Sequence, residues 1–260
     1  MQLLFSSLLH YIITGYIITN NILQANLYVI VEGEFMHIDK DFQNVKDQYQ
    51  EKYDQYGYSL KSLKMDKGKQ DIRFDVLTSQ YDFSGKSVLD IGCGFGDLNR
   101  KLKTFGTYSY LGIDLMDDFI KEAQNRYSGD NIKFECANIF EKEFSENLDY
   151  AIGCGIFNIK FLERDNYDFV ESVMDKMFLT VNDGFAFDFL SDKVDYTLPE
   201  TFHYSPEKIL SMAYKFSRNV ILRNDYMPFE FALFVFKDDS FLKEDTLFNR
   251  YKKLHGVSAF

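Results

Sequence analysis

The run Val88-Leu89-Asp90-Ile91-Gly92-Cys93-Gly94-Phe95-Gly96-Asp97, followed by Tyr110-Leu111-Gly112-Ile113-Asp114, constrains the fold more than any other part of the chain. A short aliphatic strand breaks into three glycines at alternate positions, a helical pattern follows, and a second apolar strand ends in a carboxylate. Two strands joined through a helix lie parallel, so this is a βαβ unit with the glycine turn at the carboxyl end of its first strand. Glycines suit such a turn because they accept φ > 0 and let a ligand approach the backbone. Asp114, 22 residues beyond Gly92, is placed to accept hydrogen bonds from a ribose diol.

The rest of the chain repeats the alternation. Strands are expected at Ser87–Gly92, Tyr108–Ile113, Ile132–Cys136, Tyr150–Gly153, Phe185–Leu190, Val220–Arg223 and Glu230–Phe236. Helices are expected at Asp41–Tyr56, Lys69–Gln80, Asp97–Thr104, Asp117–Tyr127, Tyr167–Val181 and Pro206–Phe216, the last capped by Ser205 with Pro at its first position. The pattern predicts an α/β, Rossmann-like, doubly wound and mostly parallel seven-stranded sheet. Its last two strands form an antiparallel C-terminal edge hairpin.

Three regions are expected: an apolar extension over 1–35, the α/β domain over 36–237 and a charged tail over 238–260. The first Asp, Glu, Lys or Arg is Glu32, and the first basic side chain is Lys40. The extension reads either as an over-extended start, with Met36 the ordinary one, or as a weak membrane or amphipathic anchor; it lacks the basic flank of a signal peptide. The net charge of −11 argues against a phosphate-tracking surface, so no nucleic-acid partner is expected. Cys93, Cys136 and Cys154 are an odd count without metal spacing, which points to a reducing cytoplasm, no disulfide and no metal site. Oligomeric state is not readable from the sequence.

The glycine spacing also bears on the ligand. A dinucleotide fingerprint places glycines at relative positions 1, 3 and 6, whereas here they stand at 92, 94 and 96 with Asp97 where the third belongs. An acidic residue there repels a pyrophosphate, and a cationic cofactor without phosphate fits better. Leu89 to Gly96 resembles the first motif of the class I S-adenosylmethionine-dependent methyltransferases, and Ile113-Asp114 is similar to the end of their second; the likeness runs from about Tyr53 to Lys237. The resemblance implies S-adenosyl-L-methionine as cofactor and methyl transfer to O or N of a small molecule, such as a sugar or other biosynthetic intermediate. The alternatives are a noncatalytic cofactor-binding or scaffold protein, an NAD-dependent oxidoreductase and an RNA methyltransferase.

Ligands of open parallel sheets sit beyond the carboxyl ends of the strands, at the switch in strand order. That rule selects Asp90, Gly92, Gly94, Gly96, Asp114, Leu115, Ala137, Asn138 and Cys154 as cofactor-binding residues. Where the family commonly has an aspartate that accepts from the adenine amino group, this chain has Asn138, which reads equally as a helix cap. Arg73, 19 residues before Gly92, takes by resemblance the role of binding the cofactor carboxylate; a surface ion pair with Asp71 or Asp75 is the alternative. For catalysis, His203 is the best lone base, or else a loop residue, and Asn158 lies where the family lines its acceptor site, or else caps a turn. Tyr53, Tyr56, Asp188, Asp195, Tyr204 and Tyr226 are further candidates near the mouth. The cluster Tyr49, Tyr53, Tyr56 and Tyr58 either walls an acceptor or packs as core.

Overall fold

The computed structural model describes residues 32–65, 68–145, 147–238 and 247–256, with side chains from residue 40 onward apart from 248–250. The chain divides into Met1–Met36 and His37–Phe260, and the side-chain contacts given below all lie in the second unit. The apolar extension falls almost wholly outside the described residues. Among them no helix is long and apolar enough to cross a membrane.

In chain order the elements are α1 (Glu32–Tyr56), α2 (Lys69–Leu77), β1 (Ser87–Ile91), α3 (Leu98–Leu102) with a 3-10 turn at Lys103–Phe105, β2 (Ser109–Asp114), α4 (Asp117–Arg126) and β3 (Ile132–Cys136). They continue with β4 (Leu148–Gly153), α5 (Asn166–Thr180), β5 (Val181–Leu190), α6 (Pro206–Ala213), β6 (Val220–Arg223), β7 (Glu230–Phe236) and α7 (Leu247–His255). One seven-stranded sheet has the order β3-β2-β1-β4-β5-β7-β6. Strands β1 to β5 pair in parallel, while β7 runs antiparallel to both β5 and β6. The expected hairpin is present, with its second strand inserted against β5 and β6 left at the edge.

Alternation along the strands builds the two cores. Leu89, Ile91, Leu111, Ile113, Phe185, Phe187 and Phe189 pack with Val170, Val173, Met174 and Met177 of α5. Val88, Tyr110, Tyr150, Ile152 and Phe234 pack on the other face with Phe74 and Leu77 of α2, Leu98 and Leu102 of α3, and Ile120 and Ala123 of α4. The order reverses between β1 and β4, so their carboxyl ends diverge there and leave the crevice in which such sheets bind ligands.

Helix α1 is tied down over that crevice. The buried carboxylate of Asp41 accepts the backbone N–H groups of Leu162 (2.7 Å), Glu163 (3.3 Å) and Arg164 (2.9 Å), and Lys40 pairs with Glu163 at 2.9 Å. Further along, Tyr53 donates to Glu122 and Gln50 to Asp118 on α4. Asp41→Ala strands three N–H donors of a loop and is expected to cost about 2–3 kcal/mol, because hydrogen bonds to an ionised acceptor are the strong ones. Urea unfolding of the variant checks this, and a loss under half a kcal/mol would show that the tie is not structural.

Candidate functional site

At the end of β1 the chain must turn sharply without side chains in the way. Gly92 and Gly94 adopt φ +65° and +53°, in the left-handed region, where a Cβ is strained. The next strand end locks the turn: Asp114 Oδ2 accepts from Gly94 N at 2.8 Å, and its Oδ1 from Met116 N at 2.9 Å. Each oxygen keeps a second lone pair for a ligand hydroxyl. Burial pushes the Asp114 carboxyl up to about 6, against the pull of those N–H donors. Asp90, also buried, accepts the Tyr110 hydroxyl at 2.6 Å and is pushed up to about 7 by the same desolvation.

These residues border a cavity of about 140 Å³ at the switch point. Its floor is Asp90 to Gly94, Asp114 lies to one side, and Leu115, Met116, Ala137, Asn138 and Ile139 shape the β2–β3 end into a slot. Cys154, Gly155 and Ile156 close it at the end of β4. The roof comes from α1, whose polar pattern with recurring aromatics over Asp41–Tyr56 reads in the sequence as a helix that could lid a site, through Phe42 and Val45, together with Leu63 and Met65 on the following strap; none of these four residues is singled out by the sequence. With Tyr49, the α1 pair forms an i, i+3, i+7 stripe on one helical face. The spacing was legible in principle, but nothing local says that the stripe faces a cavity rather than a core.

Several assignments change when placed in three dimensions. Gly96 does not border the cavity; a Cβ there would meet Phe134 Cε1 at 2.6 Å and Tyr127 Cδ2 at 3.2 Å, so this glycine lets the turn itself pack closely on β3 and on the residue that ends α4. Asp97 turns its carboxylate to the Tyr127 hydroxyl at 2.7 Å, away from the ligand space. The Asn138 side chain accepts from Phe140 N at 3.0 Å, which is the turn-capping arrangement, although the residue still lines the slot. Of the tyrosine cluster only Tyr49 reaches the cavity; Tyr53 and Tyr58 pack at a tilt against Phe95, and Tyr56 is exposed.

Arg73 is buried rather than in a surface pair: Asp71 pairs with Arg100 and Asp75 with Lys101. Its guanidinium forks onto Glu230, Nε to Oε2 at 2.8 Å and Nη2 to Oε1 at 2.5 Å, while Asp188 Oδ2 lies 3.2 Å from Nε. Asp188 Oδ1 in turn accepts from Gly155 N at 2.5 Å. This ion cluster stands behind the β4 wall, and Arg73 does not itself border the cavity. The hydroxyl of Tyr226 is buried beside it without a hydrogen-bond partner.

The cavity combines a buried carboxylate, an apolar slot and a glycine turn, a set that suits a nucleoside carrying a cation and no phosphate. Residues 88–176 match the model of a methyltransferase domain. The chain carries a class I S-adenosylmethionine-dependent methyltransferase domain. Among curated relatives, the mRNA cap guanine-N(7) methyltransferase of Candida glabrata is 35% identical over 78 residues, covering 30% of this chain and 19% of that protein. The malonyl-[acyl-carrier protein] O-methyltransferase of Acetivibrio thermocellus is 30% identical over 87 residues, covering 32% of this chain and 31% of that protein. The matches therefore span a third or less of these relatives' length.

Solved structures show the fold. Magnesium protoporphyrin IX methyltransferase from Synechocystis with bound S-adenosylhomocysteine superposes with TM-score 0.53 at 14% identity, covering 78% of this chain and 98% of that one. The DhpI–S-adenosylhomocysteine complex gives 0.54 at 15% identity, covering 76% and 95%.

In the methyltransferase domain the two catalytic candidates stand apart. His203 is outside the cavity, with Nδ1 2.7 Å from Ser191 O and Nε2 3.2 Å from Thr201 Oγ1, so both ring nitrogens are engaged in holding the segment after β5. Tyr204 beside it is fully buried and donates to Phe157 O, and Asp195 is exposed. Asn158 lies just beyond the β4 wall, its amide Nδ2 3.5 Å from where a Cβ on Gly155 would sit.

Proposed function

We propose that this domain binds S-adenosyl-L-methionine in the switch-point cavity and transfers its methyl group to O or N of a small molecule. The observation that carries the reading is the buried Asp114 carboxylate, held by Gly94 and Met116 beside a turn that gives the cavity floor two glycines, Gly92 and Gly94. Asp114 would receive the ribose hydroxyls, Gly92 and Gly94 would leave room for the amino-acid end, and Leu115, Met116, Ala137 and Ile139 would hold the base. The cofactor supplies a methyl on a sulfonium, an electrophile that needs alignment more than acid–base help. The protein's part is to hold the reacting groups in line and, through Phe42, Val45, Leu63 and Met65, to keep water out.

A small acceptor is favoured by the enclosing roof and by the net charge of −11, which opposes a nucleic-acid track. The relatives named for mRNA cap and for acyl-carrier-protein substrates match over 78 and 87 residues, stretches too short to carry the acceptor's identity. Free Cys93, Cys136 and Cys154 support a reducing, cytoplasmic setting.

Calorimetric titration with S-adenosylhomocysteine tests the reading and carries a pH signature. The ionised Asp114 is the better acceptor of ribose hydroxyls, and its carboxyl protonates as the pH falls through about 6. Affinity should be flat from pH 8 to 7 and about tenfold weaker at pH 5, as expected for one proton that must leave before binding. Asp90→Asn, which removes the other raised carboxyl at the floor, should leave that profile in place. No binding at pH 8 overturns the function, and a pH-independent affinity overturns the role of Asp114.

A further inference from the structure

Two side chains of the strap over 57–65 lie directly against glycines that border the cavity. Leu63 covers Gly94: its Cδ2, Cδ1 and Cγ are 3.0, 3.4 and 3.8 Å from where a Cβ would stand. Met65 Cε is 3.1 Å from the matching point on Gly155. The space left beneath is about 140 Å³. An apolar cavity of about 150 Å³ takes a benzene, whereas sites that bury most of a drug-sized ligand run to about 300–1,000 Å³. A nucleoside with an amino-acid end needs the larger figure. Resting on the reading of this cavity as a cofactor site, part of the roof therefore has to give.

The two halves of the roof are held very differently. On α1, Asp41 fixes the start of the helix, and the Phe42 ring packs in a sheet core, its centroid 6.2 Å from Phe140, 6.4 Å from Phe161 and 6.0 Å from Phe169. The strap is instead bonded to itself. The N–H of Ser62 donates to Ser59 O, those of Leu63 and Met65 to Leu60 O and that of Lys64 to Lys61 O, while Ser62 Oγ donates to Gly57 O at 2.6 Å. None of these bonds reaches the sheet, so the strap can move as a body with all of them intact. What holds it down is a small apolar cluster, Leu63 with Tyr49 and Tyr53 on Phe95, Met116 and Phe119, set apart from the two sheet cores. Tyr58 adds a contact between Phe95 at 4.7 Å and the Arg126 guanidinium at 3.8 Å, and Lys64 Nζ donates to Gln48 Oε1 at 2.6 Å on the surface. Lys64 also sits at φ +53°, a conformation that a non-glycine residue keeps only where its surroundings hold it.

We propose that the strap is a gate, shut in this structure, that turns about Gly57 to lift Leu63 and Met65 off Gly94 and Gly155 before the cofactor enters. Hinges are a few residues that absorb a large φ/ψ change; Gly57, at φ +57° with open space where a side chain would go, does so without steric cost. Lifting disrupts the cluster around Phe95 and neither sheet core, which places it among the low-energy openings of the molecule. Entry then waits on the strap, and the binding rate has a ceiling that ligand concentration does not raise.

The chain has no tryptophan, so Lys61→Trp puts a single reporter at an exposed position of the strap. S-adenosylhomocysteine is mixed rapidly with this protein, and calorimetry measures binding independently. The expected result is a fluorescence change whose rate levels off as the ligand rises. Leu63→Ala, added to the reporter protein, should raise that plateau at least about fivefold because it removes contacts of the shut state, whereas Leu63→Met, which keeps the plug, should stay within about twofold. If Leu63→Ala does not fold, Met65→Ala carries the same expectation from the second plug. A fluorescence signal that stays still while calorimetry reports binding would overturn the gate and make the strap a fixed wall. So would a rate that climbs in proportion to ligand throughout, or an effect of Leu63→Ala confined to dissociation. If the unaltered chain gave no binding at all, the cofactor reading itself would fall.

Discussion

Alanine at Asp114 should weaken S-adenosylhomocysteine binding by one to two orders of magnitude. The carboxylate has two free lone pairs beyond those used by Gly94 and Met116. Charge-assisted hydrogen bonds of this kind contribute about 1.5–3 kcal/mol, which is about 10- to 100-fold in affinity. The same side chain pins the Gly94 turn, so part of the loss could come from a loosened backbone. Asp114→Asn separates the two effects: its amide oxygen still accepts from one N–H and from one hydroxyl, but without charge. A smaller drop, near tenfold, is expected there, with a melting temperature closer to that of the unaltered protein than Asp114→Ala shows. Equal affinities for all three proteins would remove Asp114 from the site.

That residue was legible because its signal is local. A strand, a glycine turn and a carboxylate 22 residues on define a βαβ unit through sequence spacing alone, and Asp90, Gly92, Gly94, Leu115, Ala137 and Cys154 all border the cavity as the strand-end rule requires. Seven strands and their order of types were readable for the same reason. What spacing does not encode is which surfaces meet. Gly96 has the same local look as Gly92 and Gly94, yet it faces Phe134 and Tyr127. Asn182-Asp183-Gly184 reads as a turn after a helix, but β5 already begins at Val181, paired with Leu148 across a bulge. The roof depends on Asp41 reaching a loop more than a hundred residues away, and the insertion of β7 beside β5 is likewise a long-range choice.

The ion cluster behind the β4 wall is the largest such long-range feature, joining Arg73 to Glu230 across 157 positions. Its disruption should have the largest effect on stability. Both partners are more than nine-tenths buried, so removing Glu230 strands the Nε and Nη2 donors of its fork in a poorly solvated site, with only Asp188 left to offset the guanidinium charge. Glu230→Ala is therefore expected to destabilise the fold by about 3–5 kcal/mol, well beyond an ordinary surface ion pair at about 0–1 kcal/mol. Glu230→Gln keeps one acceptor for the fork and should cost less. Chemical denaturation reads both, and a loss near that of a surface pair would mean that water enters the cluster and solvates Arg73. The consequence extends to the cavity, because Asp188 holds Gly155 N while it also faces Arg73. Without Glu230, Arg73 has only Asp188 as a carboxylate partner, and the Gly155 turn loses part of its hold. A folded Glu230→Gln protein should thus retain S-adenosylhomocysteine binding at Asp114 while losing order at the end of β4, seen as faster amide exchange of Gly155.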